Sequence, residues 1–330
     1  MEGQMTERQA SGPLKGMKVI ELAHIMAGPV CGLMLADMGA DVIKVEKPDG
    51  DDSRRFLPPA IEGESAAYMM MNRNKRGLAL NLKDPAAVEA LRRLLAEADV
   101  VIENYRMGTM ERLGLGYEAL REINPRLIYC EISGFGRTGP YAQRGGFDLI
   151  AQGMSGLMSI TGEPDGQPQK AGVAVTDIFT GVYAATAILA ALHQRGQTGR
   201  GQQIDMALLD VATAITANQA MNYFATGTPP GRMGNAHVNL APYQVFDCAD
   251  GFIIIATGND AQYRRLCALL GLPEMAEAPE YLTNADRIAN RDEMTALLTE
   301  ATRRFAKADL LAACETQGVP AGPINDMAEV

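Results

Sequence analysis

Four short apolar runs, each set between helix-forming or turn-forming stretches, dominate the first half of the chain: MKVIEL (17–22), DVIKVEKP (41–48), DVVIEN (99–104) and RLIYCEIS (126–133). Runs of this length without polar alternation predict strands buried on both faces. The segments between them have helical character. AGPVCGLMLADMGA joins the first two runs. DPAAVEALRRLLAEA (84–98) has Pro85 near its start and an apolar stripe through Val88, Leu91, Leu94 and Leu95. MERLGLGYEALREI reads as a helix with a break. Strands alternating with amphipathic helices predict an α/β fold with an open, mostly parallel, Rossmann-like sheet covered on both faces.

The pattern changes after residue 133. Residues 134–170 carry many Gly and Pro residues and predict shaped loops and short helices, the usual carriers of binding function. An Ala-rich helix, apolar almost all round and therefore central, should follow Asp177 and end at HQRGQTGRG. The strand QQIDMAL (202–208) and an apolar helix to about Phe224 come next. PYQVFDCADGFIIIATG has the form of a β-hairpin with Asp250-Gly251 at or beside its turn, followed by three helical segments. The last residues, VPAGPINDMAEV, show no obvious terminal element. The expected organisation is a large α/β domain over 1–224, a linker over 225–240 and a smaller α+β domain over 241–330.

Composition narrows the function classes. A chain of 330 residues, 47% hydrophobic, can bury a core for two domains. Its formal charge of −10 argues against nucleic acid or an anionic membrane as partner. No run approaches the about 18 consecutive apolar residues of a membrane span, and MEGQMTERQASGPLKG has no secretory apolar core. The five cysteines are scattered without CxxC, and the three histidines form no HExxH or comparable cluster. No metal or tightly bound cofactor is therefore expected, and the cytoplasm is the expected compartment.

The lone carboxylate of Asp177 interrupts the small, apolar run KAGVAVTDIFTGVYAATAILAAL. Such a group should be hydrogen-bonded, paired or chemically employed. Thr176 and Asp177 could cap the following helix, and a helix N-terminus would keep the carboxylate a durable anion, as a carboxylate nucleophile requires. Capping and nucleophilic chemistry are compatible.

Gly134 to Gly139, GFGRTG, is formally a GxGxxG, but Pro140 follows where the dinucleotide fingerprint needs a helix. It reads instead as a glycine-shaped ligand loop. Basic residues gather in predicted loops: Arg54 and Arg55, Arg73, Lys75 and Arg76 in NRNKR, Arg106 after ENY, and Arg137. Most follow the C-terminal ends of predicted strands, where open α/β sheets bind ligands, although each alone is equally a solvated surface charge. His24, in ELAHIMAGP, is either ligand-facing or a packed, hydrogen-bonded histidine. Met26 could line an adaptable pocket or fill the core. The set contains a fixed carboxylate without a Ser/His/Asp triad, a Cys/His pair or a metal cluster. It suits covalent acyl transfer through Asp177 from a phosphorylated acyl carrier, with loop N–H groups stabilising oxyanions.

With these residues in view the chain resembles the class III CoA-transferases, through LKGMKVIELAHIMAGPVCGLMLADMGADVIKVEKP, NRNKRGLALNLKDP, ADVVIENYRMG, SGFGRTGPY, GVAVTDIFTGVYAA, GRGQQIDMALLD and APYQVFDCADG. VNRNKR-like and SGFGRTGPYAQRGGFD segments, with GVPAGPINDM, are most similar to the dicarboxylate enzymes of the succinyl-CoA:glutarate type. The resemblance implies that Asp177 is the catalytic aspartate of a ping-pong exchange, with an acyl-CoA donor, a small carboxylate acceptor and coenzyme A as substrate. It implies nucleotide contacts from Arg73, Lys75, Arg76, Asn104, Tyr105, Arg106 and Arg137. It places His24, Met26, Gly134, Gly136 and Phe147 in the substrate pocket or oxyanion loop. It further implies an interlocked homodimer and a C-terminal return segment beyond Val330. The racemase branch has a histidine where Phe147 stands, and the oxalate/formate branch a glutamine where Met26 stands. Those two activities, a CoA-dependent lyase, and a non-enzymatic acyl-CoA-binding protein are the alternatives.

Overall fold

The computed structural model describes residues 11–330, so the polar leader over 1–10 lies outside the described residues. In chain order the first half comprises β1 (Lys18–Glu21), α1 (Ala27–Asp37), β2 (Asp41–Glu46), a small hairpin of β3 (Ala60–Ile61) and β4 (Glu64–Ser65), and α2 (Ala66–Asn72). Then come β5 (Arg76–Ala79), α3 (Pro85–Ala96), β6 (Val100–Glu103), α4 (Thr109–Arg112), α5 (Tyr117–Ile123) and β7 (Ile128–Ser133). They are followed by α6 (Asp148–Met154), α7 (Val175–Thr198), β8 (Gln203–Ala207), α8 (Leu208–Ala214) and α9 (Ala217–Thr226). The last part holds β9 (Tyr243–Cys248), β10 (Gly251–Ala256), α10 (Asp260–Leu269), α11 (Asn284–Ala289), α12 (Arg291–Thr302), α13 (Lys307–Gln317) and β11 (Ala321–Pro323).

The described residues form two compact units, 11–158 with 170–221, and 159–169 with 222–330. In the first, six strands form a parallel sheet in the order β5-β2-β1-β6-β7-β8. Successive residues of its central strands serve different cores, as the pleat requires. Val19, Val100 and Ile128 pack with Cys31 and Leu35 of α1 and Ala184 and Ile188 of α7. Their neighbours Ile20, Val101 and Tyr129 pack with Leu91 and Leu95 of α3 and Leu120 of α5. Both faces are therefore covered, which explains why these strands read as unbroken apolar runs. Asp84 caps α3 by accepting from the Ala86 N–H, and Pro85 occupies its first turn.

The sheet order reverses between β1 and β6. From β1 the chain winds outward to β2 and β5, and from β6 outward to β7 and β8. Loops leaving the C-terminal ends of β1 and β6 therefore diverge and open a crevice, the usual ligand position in such a sheet.

Several local expectations change. Arg76, read as part of a basic loop, starts the edge strand β5. The segment before Val330 contains β11, which pairs antiparallel with β10. Of the three helical segments expected after the hairpin, the middle one is two helices, α11 and α12, meeting at Asn290. The helix after β8 is broken before α9, where Ala217 has φ of 45°. By length and composition α7, despite Asp177 and its polar end, is long and apolar enough to cross a membrane. Here Ala184, Ala185 and Ile188 are buried in the first core.

The second unit sets β11-β10-β9 against α10–α13 around Phe246, Ile253, Ile255, Leu266 and Leu298. Residues 159–169 belong to it because Arg232 gathers the carbonyls of Glu163, Pro164 and Gly166.

Candidate active site

Three loops and one helix end enclose a cavity of about 110 Å³ at the β1/β6 reversal, lined among others by His24, Met26, Asn104, Gly134, Phe147 and Asp177. Met26 and Phe147 stand at the residues immediately before α1 and α6. The first residue beyond β6 fixes the loop after β1. The Asn104 side chain accepts from the His24 N–H at 2.8 Å and donates to the His24 carbonyl at 2.9 Å. Asn104, expected to contact the nucleotide, clamps the pocket wall here. The His24 ring meets Tyr105 edge to face at 5.2 Å.

The glycine loop closes the cavity from the β7 side. Residues 134–147 contain no helix, in keeping with the rejected dinucleotide reading. Its shape depends on two glycines meeting: a Cβ on Gly146 would lie 2.3 Å from the Gly134 Cα, and one on Gly134 2.5 Å from the Gly146 Cα. The Gly136 N–H is taken by the Ser133 hydroxyl at 2.9 Å, so it is not free to bind an oxyanion. An adjoining cavity of about 70 Å³ shares Ser133, Gly134 and Gly146 and adds Tyr105, Arg106 and Arg144. Arg106 is exposed and makes no ion pair among the described residues. Arg144, which the sequence reading passed over, lies 4.1 Å over the Tyr141 ring. Its only sequence signal is its place in YAQRGG, between the two glycine clusters.

Asp177 lies in the first turn of α7, but neither it nor Thr176 caps the helix. The cap comes from Asp148, at the start of α6. One Asp148 oxygen accepts from the Thr176 N–H at 2.9 Å, the Thr176 hydroxyl at 2.6 Å and the Asp177 N–H at 3.3 Å. Its other oxygen accepts from Gln152 at 2.6 Å. This arrangement leaves the Asp177 carboxylate for the cavity. It also overturns the expectation of a durable anion: burial, and then the Asp148 charge, push Asp177 up to about 7. The helix end is outweighed by desolvation and a like charge.

The expected phosphate ligands are distributed differently. Lys75 is buried, its ammonium 2.8 Å from Glu21, 2.8 Å from the Pro29 carbonyl and 2.9 Å from the Asn72 side chain. Three acceptors use its three N–H groups, leaving none for a phosphate. Burial lowers its pKa. Arg73 pairs with Asp37 and Arg76 with Asp41, both at exposed positions. Arg137 pairs with Glu131 and with Glu111. Behind this pair sits Glu103, buried and pushed up to about 8 by desolvation and then by the Glu131 charge. Among the described residues no cluster of three or more His, Cys, Asp or Glu could hold a metal ion.

The half-buried Asp177 carboxylate thus stands at the strand-order reversal of a parallel sheet, beside a loop shaped by glycines. Residues 14–330 match the model of CoA-transferase family III, and the chain belongs to that family. It is 56% identical over 325 residues to the succinate–glutarate CoA-transferase of Agrobacterium fabrum, covering 96% of this chain and 81% of that one. It is 44% identical to human succinyl-CoA:glutarate CoA-transferase, over 96% of this chain and 73% of the human one. A crystal structure of a CaiB/BaiF family protein from Brucella suis superposes with a TM-score of 0.86 at 54% identity, covering 96% of this chain and 85% of that one.

Proposed function

We propose that the chain moves coenzyme A from an acyl-CoA donor such as succinyl-CoA to a small carboxylic acid, chiefly a dicarboxylic one, with Asp177 as carrier. The observation that carries this reading is the Asp177 carboxylate facing a small, glycine-walled cavity with its pKa near 7. One Asp177 oxygen attacks the donor thioester carbonyl and expels CoA thiolate, giving a mixed anhydride. The thiolate then attacks the Asp177 acyl carbon and releases the donor acid, leaving an aspartyl-CoA thioester. An acceptor carboxylate displaces the thiolate to form a second anhydride, and the thiolate takes the acceptor acyl group, freeing Asp177. No net proton is consumed, and the thioester energy is conserved at each step. Backbone N–H groups of the Gly134–Gly146 loop are the proposed donors to the tetrahedral oxyanions.

The cavity fits only the reacting end of the substrate, so the nucleotide would lie beyond it, with Tyr105, Arg106 and the newly recognised Arg144 at the adjoining cavity as its anchors. Phe147 supports transfer over racemisation, since a phenyl ring cannot shuttle a proton. The dicarboxylate preference rests on the names of the relatives. An interlocked homodimer and a cytoplasmic site of action complete the reading; five buried, free cysteines suit a reducing compartment. The test is incubation with succinyl-CoA and a panel of carboxylic acids, following new thioesters by mass spectrometry. Acceptor-dependent products that vanish in Asp177→Ala are expected. Exchange that survives the substitution would sink the mechanism.

A further inference from the structure

Ile25 has φ of 69°, a left-handed conformation that a β-branched residue strongly avoids. It lies between His24 and Met26 and lines the Asp177 cavity with them. Strain of this kind persists only where its surroundings over-determine it. Here the Ile25 N–H donates to both oxygens of the Asp51 carboxylate, at 3.3 Å each. Asp51 is 1% exposed and is itself fixed from several sides. It accepts from the Ser53 N–H at 2.9 Å and the Ser53 hydroxyl at 2.8 Å, and lies 2.9 Å from the Lys44 ammonium and 3.7 Å from His24 Nδ1.

The fixing continues inward. Lys44 also donates to the Ala23 carbonyl at 2.9 Å and to Glu21 at 3.0 Å, and the second oxygen of Glu21 meets Lys75 at 2.8 Å. Gly32 makes room for this pair, because a Cβ there would lie 1.9 Å from Glu21 Oε2. A chain of buried charges thus runs from the α2–β5 turn through the end of β1 to the backbone at Ile25. As a stability device a buried ion network is weak, since well-packed apolar residues often do as well. What apolar residues cannot supply is an acceptor for the Ile25 N–H and a cation on the Ala23 carbonyl.

We propose that Asp51 is a positioning residue for the transfer reaction, holding the left-handed His24–Ile25–Met26 turn against Asp177. The inference rests on the reading of the Asp177 cavity as the reacting site. Asp51 does not line that cavity, so its effect reaches the reaction through the turn it holds, chiefly at the backbone of Ile25 and beside it at His24.

The test uses the full chain with succinyl-CoA as donor and the acid it turns over fastest as acceptor. Asp51→Ala, Asp51→Asn and Ile25→Gly are compared singly and combined, with Asp177→Ala as control and circular dichroism as the check on folding. Asp51→Ala should lower kcat by about 10- to 100-fold, as small misplacements of reacting groups do, with a far smaller change in KM for the donor. Asp51→Asn keeps one acceptor and should lose less. Glycine adopts φ near 69° without penalty, so the loss from Asp51→Ala should shrink in the Ile25→Gly background. A purely structural role would leave that loss unchanged. If Asp51→Ala does not fold, the same comparison is made with Asp51→Asn. Equal losses in both backgrounds, or full kcat in a folded Asp51 variant, would overturn the proposal. Loss in the Asp51 variants beside undiminished exchange in Asp177→Ala would instead overturn the reading of the site, and this inference with it.

Discussion

A carboxylate that must attack a thioester and later be released from a thioester of its own works best with a pKa near the working pH. Burial and Asp148 give Asp177 that property, with a value of about 7. The proton-bound form is inert as a nucleophile, so kcat/KM should fall with unit slope as pH drops below about 7. Asp148→Asn removes the like charge, which should move this limb to lower pH in a pH–rate profile. A limb that does not move would separate Asp148 from the ionisation of Asp177. Stability has its own sign. The folded pKa of Asp177 lies above its ordinary value of 3.8, so the folded chain binds this proton more tightly than the unfolded chain does. The associated stability is present below about pH 3.8 and is lost as pH rises through about 7. Asp177→Asn should therefore raise Tm relative to the parent at pH 8 more than at pH 5, in paired thermal melts. Sequence alone marked Asp177 as an isolated carboxylate, yet assigned it the wrong electrostatics. The cap of its helix comes from Asp148, 29 positions before Asp177, and its burial arises from loops whose packing leaves no trace in local spacing.

Among elements, strands with two buried faces were plainly legible, and the edge strand β8, the β9–β10 hairpin and the amphipathic α3 could also be read, whereas β5 and β11 could not. β1, β2, β6 and β7 announce themselves as apolar runs because helices cover both sides. β5 (RGLA) sits at the sheet edge with largely exposed side chains, and β11 (AGP) is a three-residue strand ending in proline. Neither carries a periodic signal. The site elements behave alike: the glycine loop was recognisable as a loop, but the contact of Gly134 with Gly146 is a matter of tertiary approach. That contact makes a sharp prediction. Gly146→Ala forces the two backbones apart, and should cost about 1–3 kcal/mol in denaturant unfolding together with most of the turnover. Gly145→Ala is the matched control, because a Cβ there meets nothing within 4 Å; loss of stability equal to that of Gly146→Ala would refute the contact. In the helix behind the site, Ile188 is completely buried, and Ile188→Ala should cost about 2–5 kcal/mol by the same measurement.

At the scale of the whole molecule, the first unit shows apolar side chains beside its site. Phe147, Leu149 and Ile150 are 63%, 52% and 43% exposed, as are Val173 at 61% and Phe179 at 42%. These residues sit on or just before α6 and α7, in the same stretch of chain as the carboxylate that the proposed reaction uses. In the proposed homodimer they would be covered by the second copy. Light scattering on the full chain should give twice the chain mass, and paired Leu149→Glu and Val173→Glu substitutions should reduce it. A monomer that keeps full transfer activity would contradict the dimer.

The length and apolarity of α7 bear on how the chain is made. As it leaves the ribosome, a 24-residue segment of this character resembles a membrane anchor to any machinery that surveys nascent chains. What distinguishes it is timing. Its main cover, α1 together with the strands β1, β6 and β7, is encoded upstream and is already synthesised when Val175 emerges, whereas only β8 and α8 come later. Domains form largely in the order of synthesis, so the order of elements along the chain favours sheltering this long apolar helix before it can be mistaken for something else.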